Sequence, residues 1–277
     1  MPELTKKQRQ FLMSYLSFHE DLLKVQVKNM QHLIAVFSFD KLNAIDLGSR
    51  LANGDYLIHP EDILVEEKDL EVIFDNIFTV MKEHRAEHEE LTLLEDLNDK
   101  RKIVLGDIIN IVLSRDGERC KSFAQQYGLN KNFLRRFGEY LASPYLELCS
   151  EYFTKRLQSV QIKSSRCPVC GNYPSMAMVD EEENSRILWC HLCNTEWHYS
   201  HPGCPFCLNT DLKQLEHIFL PEKSPLRIDA CNKCNHYIKI IDNQLITKKP
   251  KFIVDYLASY ELDIFAMQKG FKKFKSC

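Results

Sequence analysis

Eight of the 11 cysteines in this 277-residue chain form four Cys-x-x-Cys pairs between positions 167 and 234. The pairs are Cys167/Cys170, Cys190/Cys193, Cys204/Cys207 and Cys231/Cys234. Two thiolates at this spacing can bind one metal ion from a single tight turn, and two such pairs complete the four-sulfur shell that suits zinc or iron. The sequence therefore predicts two metal ions bound by these eight cysteines.

The spacing between the pairs favours one way of combining them. The first and second pairs are separated by 19 residues, and the third and fourth by 23, which is enough for a β-hairpin in each case. Sequential grouping is thus favoured over an interleaved arrangement, in which the outer pairs would close a loop of 60 residues. A complete four-thiolate shell has no open position for a substrate, which argues against hydrolytic metal catalysis.

The segments between the paired cysteines repeat one unit twice. Apolar stretches at 176–179 and 187–189 in the first unit correspond to stretches at 215–220 and 226–228 in the second. Each unit is predicted to consist of a cysteine knuckle, a β-hairpin and a second knuckle. A β-module this small depends on its metal for much of its folding free energy.

The first 160 residues have the pattern of a helical domain. Thr5 and Gln8 form a capping box, and apolar residues recur at helical spacing from Phe11 onward. Further helices are predicted at 66–88, 101–113, 118–126 and 132–141, and a last one is expected to begin at Ser143 with Pro144 in its first turn. The segment 39–63 is rich in Gly, Asn, Asp and Pro, so it is predicted to be a loop or short irregular pieces.

One amphipathic helix is predicted near the C-terminus. Its apolar stripe is expected either to pack on its own domain or to form a groove that binds a partner protein. The stripe is Ile253, Leu257, Tyr260, Ile264 and Met267. The predicted fold is α+β and multidomain, with an all-helical domain followed by two tandem rubredoxin-like or zinc-ribbon modules and this helix. The predicted domains are 1–160 (helical), 161–200 (first ribbon), 201–247 (second ribbon) and 248–277 (helix and basic tail).

Titratable and nucleophilic residues outside the four pairs form no recognisable catalytic constellation. His84 and His88 stand four apart, but they lie among charged residues and are interpreted as surface residues. Cys120, Cys149 and Cys277 have no partner at ligand spacing, and Cys149 lies in an apolar stretch where a thiol packs as a small hydrophobe. The sequence thus indicates a protein that is not an enzyme.

Charge and hydropathy narrow the classes of partner. Residues 161–247 contain 8 Lys/Arg and 10 Asp/Glu, a net charge of −2, which disfavours binding to nucleic acid. There is no run of 18 apolar residues, so membrane insertion is not expected. Cysteine pairs of this kind indicate metal binding in a reducing compartment, and the predicted location is the cytoplasm.

Residues around the cysteine pairs resemble the FdhE family of formate dehydrogenase accessory proteins. The resemblance rests on the run at 186–197 (RILWCHLCNTEW), on CPVCG at 167–171, CPFC at 204–207 and RIDAC at 227–231, and on DYLAS at 255–259.

This resemblance implies a non-enzymatic, cytoplasmic maturation factor that binds the catalytic subunit of formate dehydrogenase before export. It implies that the eight cysteines form rubredoxin-like sites for two metal ions, with iron favoured and zinc as the second choice. A homodimer is left open. The alternatives are a rubredoxin-like iron redox protein and, third, a zinc-ribbon protein that binds nucleic acid.

Overall fold

Helix α1 (Lys6–Val36) begins at the predicted capping box. Thr5 Oγ1 accepts a hydrogen bond from the backbone N–H of Gln8 at 3.2 Å, and Gln8 Oε1 accepts one from the N–H of Thr5 at 2.9 Å. Two backbone donors that a helix start leaves unpaired are thereby satisfied.

The computed structural model describes residues 5–62, 65–84, 88–157, 160, 162, 164–180, 185–200, 202–219 and 224–274.

The N-terminal half is helical, as predicted. After α1 come α2 (Asp40–Asn43), α3 (Leu47–Ala52), α4 (Glu67–Glu83), α5 (His88–Asp99), α6 (Leu105–Ser114), α7 (Gly117–Tyr127) and α8 (Lys131–Leu157). The long helix α8 packs against α1, α4, α6 and α7 and contributes buried Phe133, Phe137 and Tyr145 to the core. The sequence did not predict α5, and the segment predicted as a loop contains α2, α3 and a 3-10 turn.

Helix α8 is continuous through Pro144, so the predicted helix boundary at Ser143 is wrong. Proline has no N–H, and it therefore leaves the carbonyl four residues earlier, that of Tyr140, without its helical donor. The side-chain amide of Gln26 in α1 donates to this carbonyl at 2.7 Å. A neighbouring helix supplies the missing hydrogen bond. The sequence around Pro144 gives no sign of this donor.

The C-terminal half contains one seven-stranded sheet in the order β3-β2-β1-β6-β5-β4, with β7 paired to β6. The strands are β1 (Met176–Asp180), β2 (Ser185–Trp189), β3 (Glu196–His198), β4 (Leu215–Phe219), β5 (Leu226–Cys231), β6 (His236–Asp242) and β7 (Lys272–Lys273). The antiparallel pairs β1/β2 and β4/β5 are the two predicted hairpins. Parallel pairing of β1 with β6 joins both ribbons into one sheet.

The predicted C-terminal helix is divided into α9 (Phe252–Ala258) and α10 (Tyr260–Gln268), which meet at Ser259. The break shifts the helical phase, so the buried residues of α10 are Leu262, Asp263 and Ala266, while Met267 of the predicted stripe is exposed. The single continuous stripe is therefore wrong in its second half. The last residues of the predicted basic tail, 275–277, lie outside the described residues.

Buried Lys239 of β6 stabilises this break. Its ammonium group donates to the carbonyl of Tyr256 at 2.7 Å and pairs with the Asp263 carboxylate at 2.9 Å. The carbonyls at a helix C-terminus lack intrahelical donors, and a cation there also interacts favourably with the helix dipole. The α9/α10 corner is thus fixed to the sheet by one side chain.

In the described part of the chain, no helix is both long and apolar enough to span a membrane.

Candidate metal centres

The structure gathers the eight paired cysteines into two groups of four. The first centre contains Cys167, Cys170, Cys190 and Cys193, and the second contains Cys204, Cys207, Cys231 and Cys234. Within each group all four sulfur atoms lie within 4.8 Å of one another. This is the sequential grouping that the spacing favours, and the interleaved arrangement is not formed.

The distances between sulfur atoms suit a tetrahedral metal. Cys167 and Cys193 have their Sγ atoms 3.4 Å apart, and the corresponding Cys204 to Cys234 distance in the second centre is 3.7 Å. A tetrahedral shell with metal–sulfur bonds of about 2.3 Å places its sulfurs roughly 3.8 Å apart. A disulfide would require about 2.05 Å. Each group could therefore hold one metal ion as a closed four-thiolate shell, and neither is a pair of disulfides.

All four knuckles share one backbone conformation at the residue that follows the second cysteine. That residue has φ between +57° and +68° in every case: Gly171, Asn194, Leu208 and Asn235. The N–H of Gly171 donates to the carbonyl of Cys167 at 2.8 Å, and Leu208 repeats this bond to Cys204 at 3.0 Å. The left-handed turn lets the chain reverse behind the two sulfurs, and glycine and asparagine adopt it with the least strain.

The first centre lies in the core that the ribbon shares with the helical domain. Its four cysteines are at most 1% exposed. The N–H groups of Leu57 and Ile58 donate to the carbonyls of Pro168 and Val169 within the first knuckle, at 2.9 and 2.8 Å. The helical half thus supplies part of the backbone hydrogen bonding of the turn that presents two of the candidate ligands.

Side chains of α8 contact the second knuckle of the same centre. Ser150 Oγ and Thr195 Oγ1 share a buried hydrogen bond of 2.8 Å, and Ser143 Oγ donates to the carbonyl of Leu192 at 3.1 Å. Thr195 Oγ1 also lies 2.9 Å from the Cys193 sulfur. Hydroxyl contacts of this kind orient a ligating sulfur and tune its electron density.

The thiols of the first centre are affected unequally by their surroundings. Burial alone would raise the pKa of Cys170, but hydrogen bonds from Cys167, Cys190 and Cys193 hold it well below that of a free cysteine. Burial raises the pKa values of Cys190 and Cys193 well above the usual value. A metal ion requires thiolate ligands and releases their protons when it binds, so metal binding here would deprotonate buried thiols.

The second centre lies close to the surface. Cys207 and Cys234 are partly exposed, and Cys204 and Cys231 line a cavity of about 360 Å³. Burial raises the pKa of Cys204 to about 11. Burial would also raise the pKa of Cys231, but backbone hydrogen bonds from Cys234 and Lys233 hold it below its usual value. The two centres therefore have the same ligand set in different environments.

A charged cluster in this cavity links the two ribbons. Asp229 of the second ribbon accepts hydrogen bonds from Arg227 Nε at 3.0 Å and His217 Nδ1 at 2.7 Å. Arg186 of the first ribbon donates to the carbonyl of Gly203 at 2.8 Å and lies 3.7 Å from Asp229. Burial alone would raise the pKa of Asp229, but His217 and the two arginines hold it below its usual value. The sequence did not reveal this cluster, because Arg186 and Asp229 are 43 residues apart along the chain.

The remaining candidates form no further site among the described residues. His84 directly follows α4, and its ring lies 3.0 Å from the Asp21 carboxylate. The side chain of His88 lies outside the described residues. Cys149 is fully buried, as predicted for a core thiol, and burial raises its pKa to about 12. Cys120 is also buried, and Cys277 lies outside the described residues.

Comparisons with known proteins agree on one family. A family model described as the FdhE central domain matches residues 166–201. The FdhE homologue of Aquifex aeolicus is 37% identical over 112 residues, which cover 39% of this chain and 38% of that protein. FdhE of Salmonella paratyphi A is 36% identical over 112 residues, which cover 39% of this chain and 35% of that protein. The chain thus matches little more than a third of the length of either relative.

The crystal structure of the FdhE protein from Pseudomonas aeruginosa has the same fold. It aligns with a TM-score of 0.55 and 20% sequence identity, covering 94% of this chain and 92% of that chain. The predicted α+β organisation is confirmed by this match.

Proposed function

We propose that this chain, which resembles the FdhE family in its cysteine-rich half, is an accessory protein for the maturation of formate dehydrogenase. In this proposal it binds the catalytic subunit in the cytoplasm before export and catalyses no reaction of its own. The observation that carries the proposal is the FdhE central-domain match at residues 166–201, which spans all four cysteines of the first centre.

The metal centres support a binding role rather than a catalytic one. Four thiolates fill the coordination sphere of zinc or iron and leave no position for a substrate or an activated water. We propose the eight cysteines as the ligands of two metal ions, iron by family resemblance and zinc as the alternative. When bound, either metal cross-links the knuckles of its ribbon, and iron would in addition carry one electron.

Co-purification tests the proposal directly. The tagged chain is expected to retain the formate dehydrogenase catalytic subunit when the two are co-expressed and isolated without oxygen. A matched control replaces Met13, an exposed residue of α1, with serine and should retain the subunit equally. Absence of the subunit from the unmodified protein would contradict the proposed function.

A redox role is the second candidate, and the position of the second centre favours it. Cys207 and Cys234 are partly exposed, so an electron-transfer partner could approach this metal more closely than the first. Optical spectra of protein purified without oxygen separate the candidates. Absorption bands of iron bound to four thiolates, with reversible bleaching on reduction, would support electron transfer. A colourless protein with two zinc ions per chain would exclude it.

A further inference from the structure

The first centre has a hydroxyl group beside one of its candidate ligands. Thr195 Oγ1 lies 2.9 Å from the Cys193 sulfur, and both residues are at most 3% exposed. The knuckle itself fixes the backbone of Thr195, because the Thr195 carbonyl accepts a hydrogen bond from the N–H of Cys190 at 3.0 Å. The hydroxyl is therefore held against the sulfur and away from solvent.

Helix α8 contributes a second hydroxyl to this contact. Ser150 is 5% exposed, and its Oγ lies 2.8 Å from Thr195 Oγ1. Ser143, which donates to the carbonyl of Leu192 in the same knuckle, precedes Ser150 by seven residues. The two serines thus lie about two turns apart on one face of the helix. We call Ser150 and Thr195 the hydroxyl pair, and it connects the helical half of the chain to a candidate metal ligand.

The chemistry of the sulfur gives these contacts a direction. A metal-bound cysteine is a thiolate, which has no proton and can only accept a hydrogen bond. The Thr195 hydroxyl then donates to Cys193, and its oxygen accepts from Ser150, because a hydroxyl has one proton and two lone pairs. Each of the two hydroxyl protons is used once, and the first donor belongs to α8.

The second ribbon has a different residue at the equivalent position. His236 stands where Thr195 stands in the first ribbon, two residues after the last cysteine of its centre, and histidine has no hydroxyl. The ring of His236 packs against the rings of Phe206 and Phe274, with centroid distances of 5.7 and 4.9 Å. One chain therefore contains a candidate metal centre with a hydroxyl at this position and another without it.

We propose that the hydroxyl pair tightens the hold of the first centre on its metal. Thr195 donates to the Cys193 thiolate, and Ser150 is a positioning residue that orients Thr195 for this bond. The hydrogen bond offsets part of the negative charge that four buried thiolates bring together. Coupling of this kind is reciprocal, so metal in the first centre also stabilises the contact of α8 with the knuckle. This inference rests on the proposed metal binding and is independent of the accessory role.

Chelator competition on the full chain loaded with Co²⁺ tests the role of Thr195. Thr195→Val keeps the shape of the side chain and removes the hydroxyl, so one of the two bound ions should be held about 10–100-fold more weakly and the other equally well. Thr195→Ser is the matched control, because it keeps the hydroxyl and should bind both ions as the unmodified chain does. Unchanged binding in Thr195→Val, or an equal loss in Thr195→Ser, would overturn the proposal.

The absorption spectrum of the Co²⁺ protein provides a readout that a change in packing alone would not move. A sulfur that loses its hydrogen-bond donor becomes more electron-rich, so the sulfur-to-cobalt charge-transfer band of Thr195→Val should shift to longer wavelength. The band of Thr195→Ser should stay in place. An unshifted band in Thr195→Val would contradict a hydrogen bond from this hydroxyl to the sulfur.

Ser150→Ala tests whether Ser150 acts through Thr195. The single variant should lose less affinity than Thr195→Val, and the double variant should bind no more weakly than Thr195→Val alone. Additive losses would overturn the positioning role of Ser150. Failure of the unmodified chain to bind two ions would overturn the proposed ligands, whereas two ions bound at full affinity in Thr195→Val would overturn only the hydroxyl pair.

Discussion

In each knuckle, the residue after the second cysteine has a left-handed backbone conformation that lets the turn reverse. Gly171 has an additional constraint, because a Cβ atom at this position would lie 2.5 Å from the ring of Tyr56. Tyr56 belongs to the helical domain, next to the residues that donate to the first knuckle. A single glycine therefore permits both the turn and the close approach of the two halves of the protein.

Gly171→Ala should destabilise the protein by about 2–4 kcal/mol, because the left-handed backbone and the contact with Tyr56 both penalise a Cβ atom. Gly54→Ala is the matched control. Gly54 has φ +75° but nothing within 4 Å of the added atom, so only backbone strain of about 1 kcal/mol is expected. Denaturant unfolding of the metal-bound proteins measures both values. Equal losses would show that the contact with Tyr56 has no cost.

At the scale of elements, the continuity of α8 depends on a side chain from α1. Gln26→Leu would remove the side-chain amide that donates to the Tyr140 carbonyl, at an expected cost of about 1–3 kcal/mol. Adding Pro144→Ala to this variant restores a backbone N–H four residues after Tyr140. The double variant should therefore be more stable than Gln26→Leu alone, as measured by thermal unfolding. Equal stability would contradict the account of how α8 passes through its proline.

The α9/α10 corner gives a second prediction at this scale. Lys239→Met removes the donor to Tyr256 and the nearer of two ammonium groups beside Asp263, leaving Lys273 at 3.8 Å, which should cost about 3–5 kcal/mol. Replacing Asp263 with asparagine in the same chain removes the charge, keeps an acceptor for the Tyr237 hydroxyl and should recover part of that loss. A double-mutant cycle in denaturant measures the coupling, and strictly additive losses would show that the two groups do not act as a pair.

Features that depend on residues close together in the sequence were predicted correctly, whereas features that depend on distant residues were not. The capping box at Thr5, the hairpins and the cysteine grouping depend on residues close in sequence, and local patterns predict them. The passage of α8 through Pro144 and the break at Ser259 depend on Gln26 and Lys239, which lie far away along the chain. Parallel pairing of β1 with β6 is also long-range, so two predicted modules proved to be one sheet.

For the whole molecule, the main feature is that the two four-cysteine groups differ in how deeply they are buried. The first centre lies where the helical domain, the sheet and the knuckles share a core, whereas the second has two partly exposed cysteines and a cavity beside it. The first centre therefore joins the helical half to the sheet, and the second lies close to the surface.

The two centres should lose bound metal at different rates, because they differ in burial. With a strong chelator, the second centre should release its metal well before the first, because solvent and chelator reach Cys207 and Cys234 without unfolding the core. A coloured metal indicator should record two phases of equal amplitude. In a Cys231→Ser variant the fast phase should be lost, and in a Cys190→Ser variant the slow phase should be lost. A single phase in the unmodified protein would contradict the proposed difference in access.

The proposed accessory role is tested by formate dehydrogenase activity in cells that lack this chain. Activity should fall when the gene is deleted and return when the unmodified chain is supplied. Normal formate dehydrogenase activity in the deletion strain would rule out the accessory role.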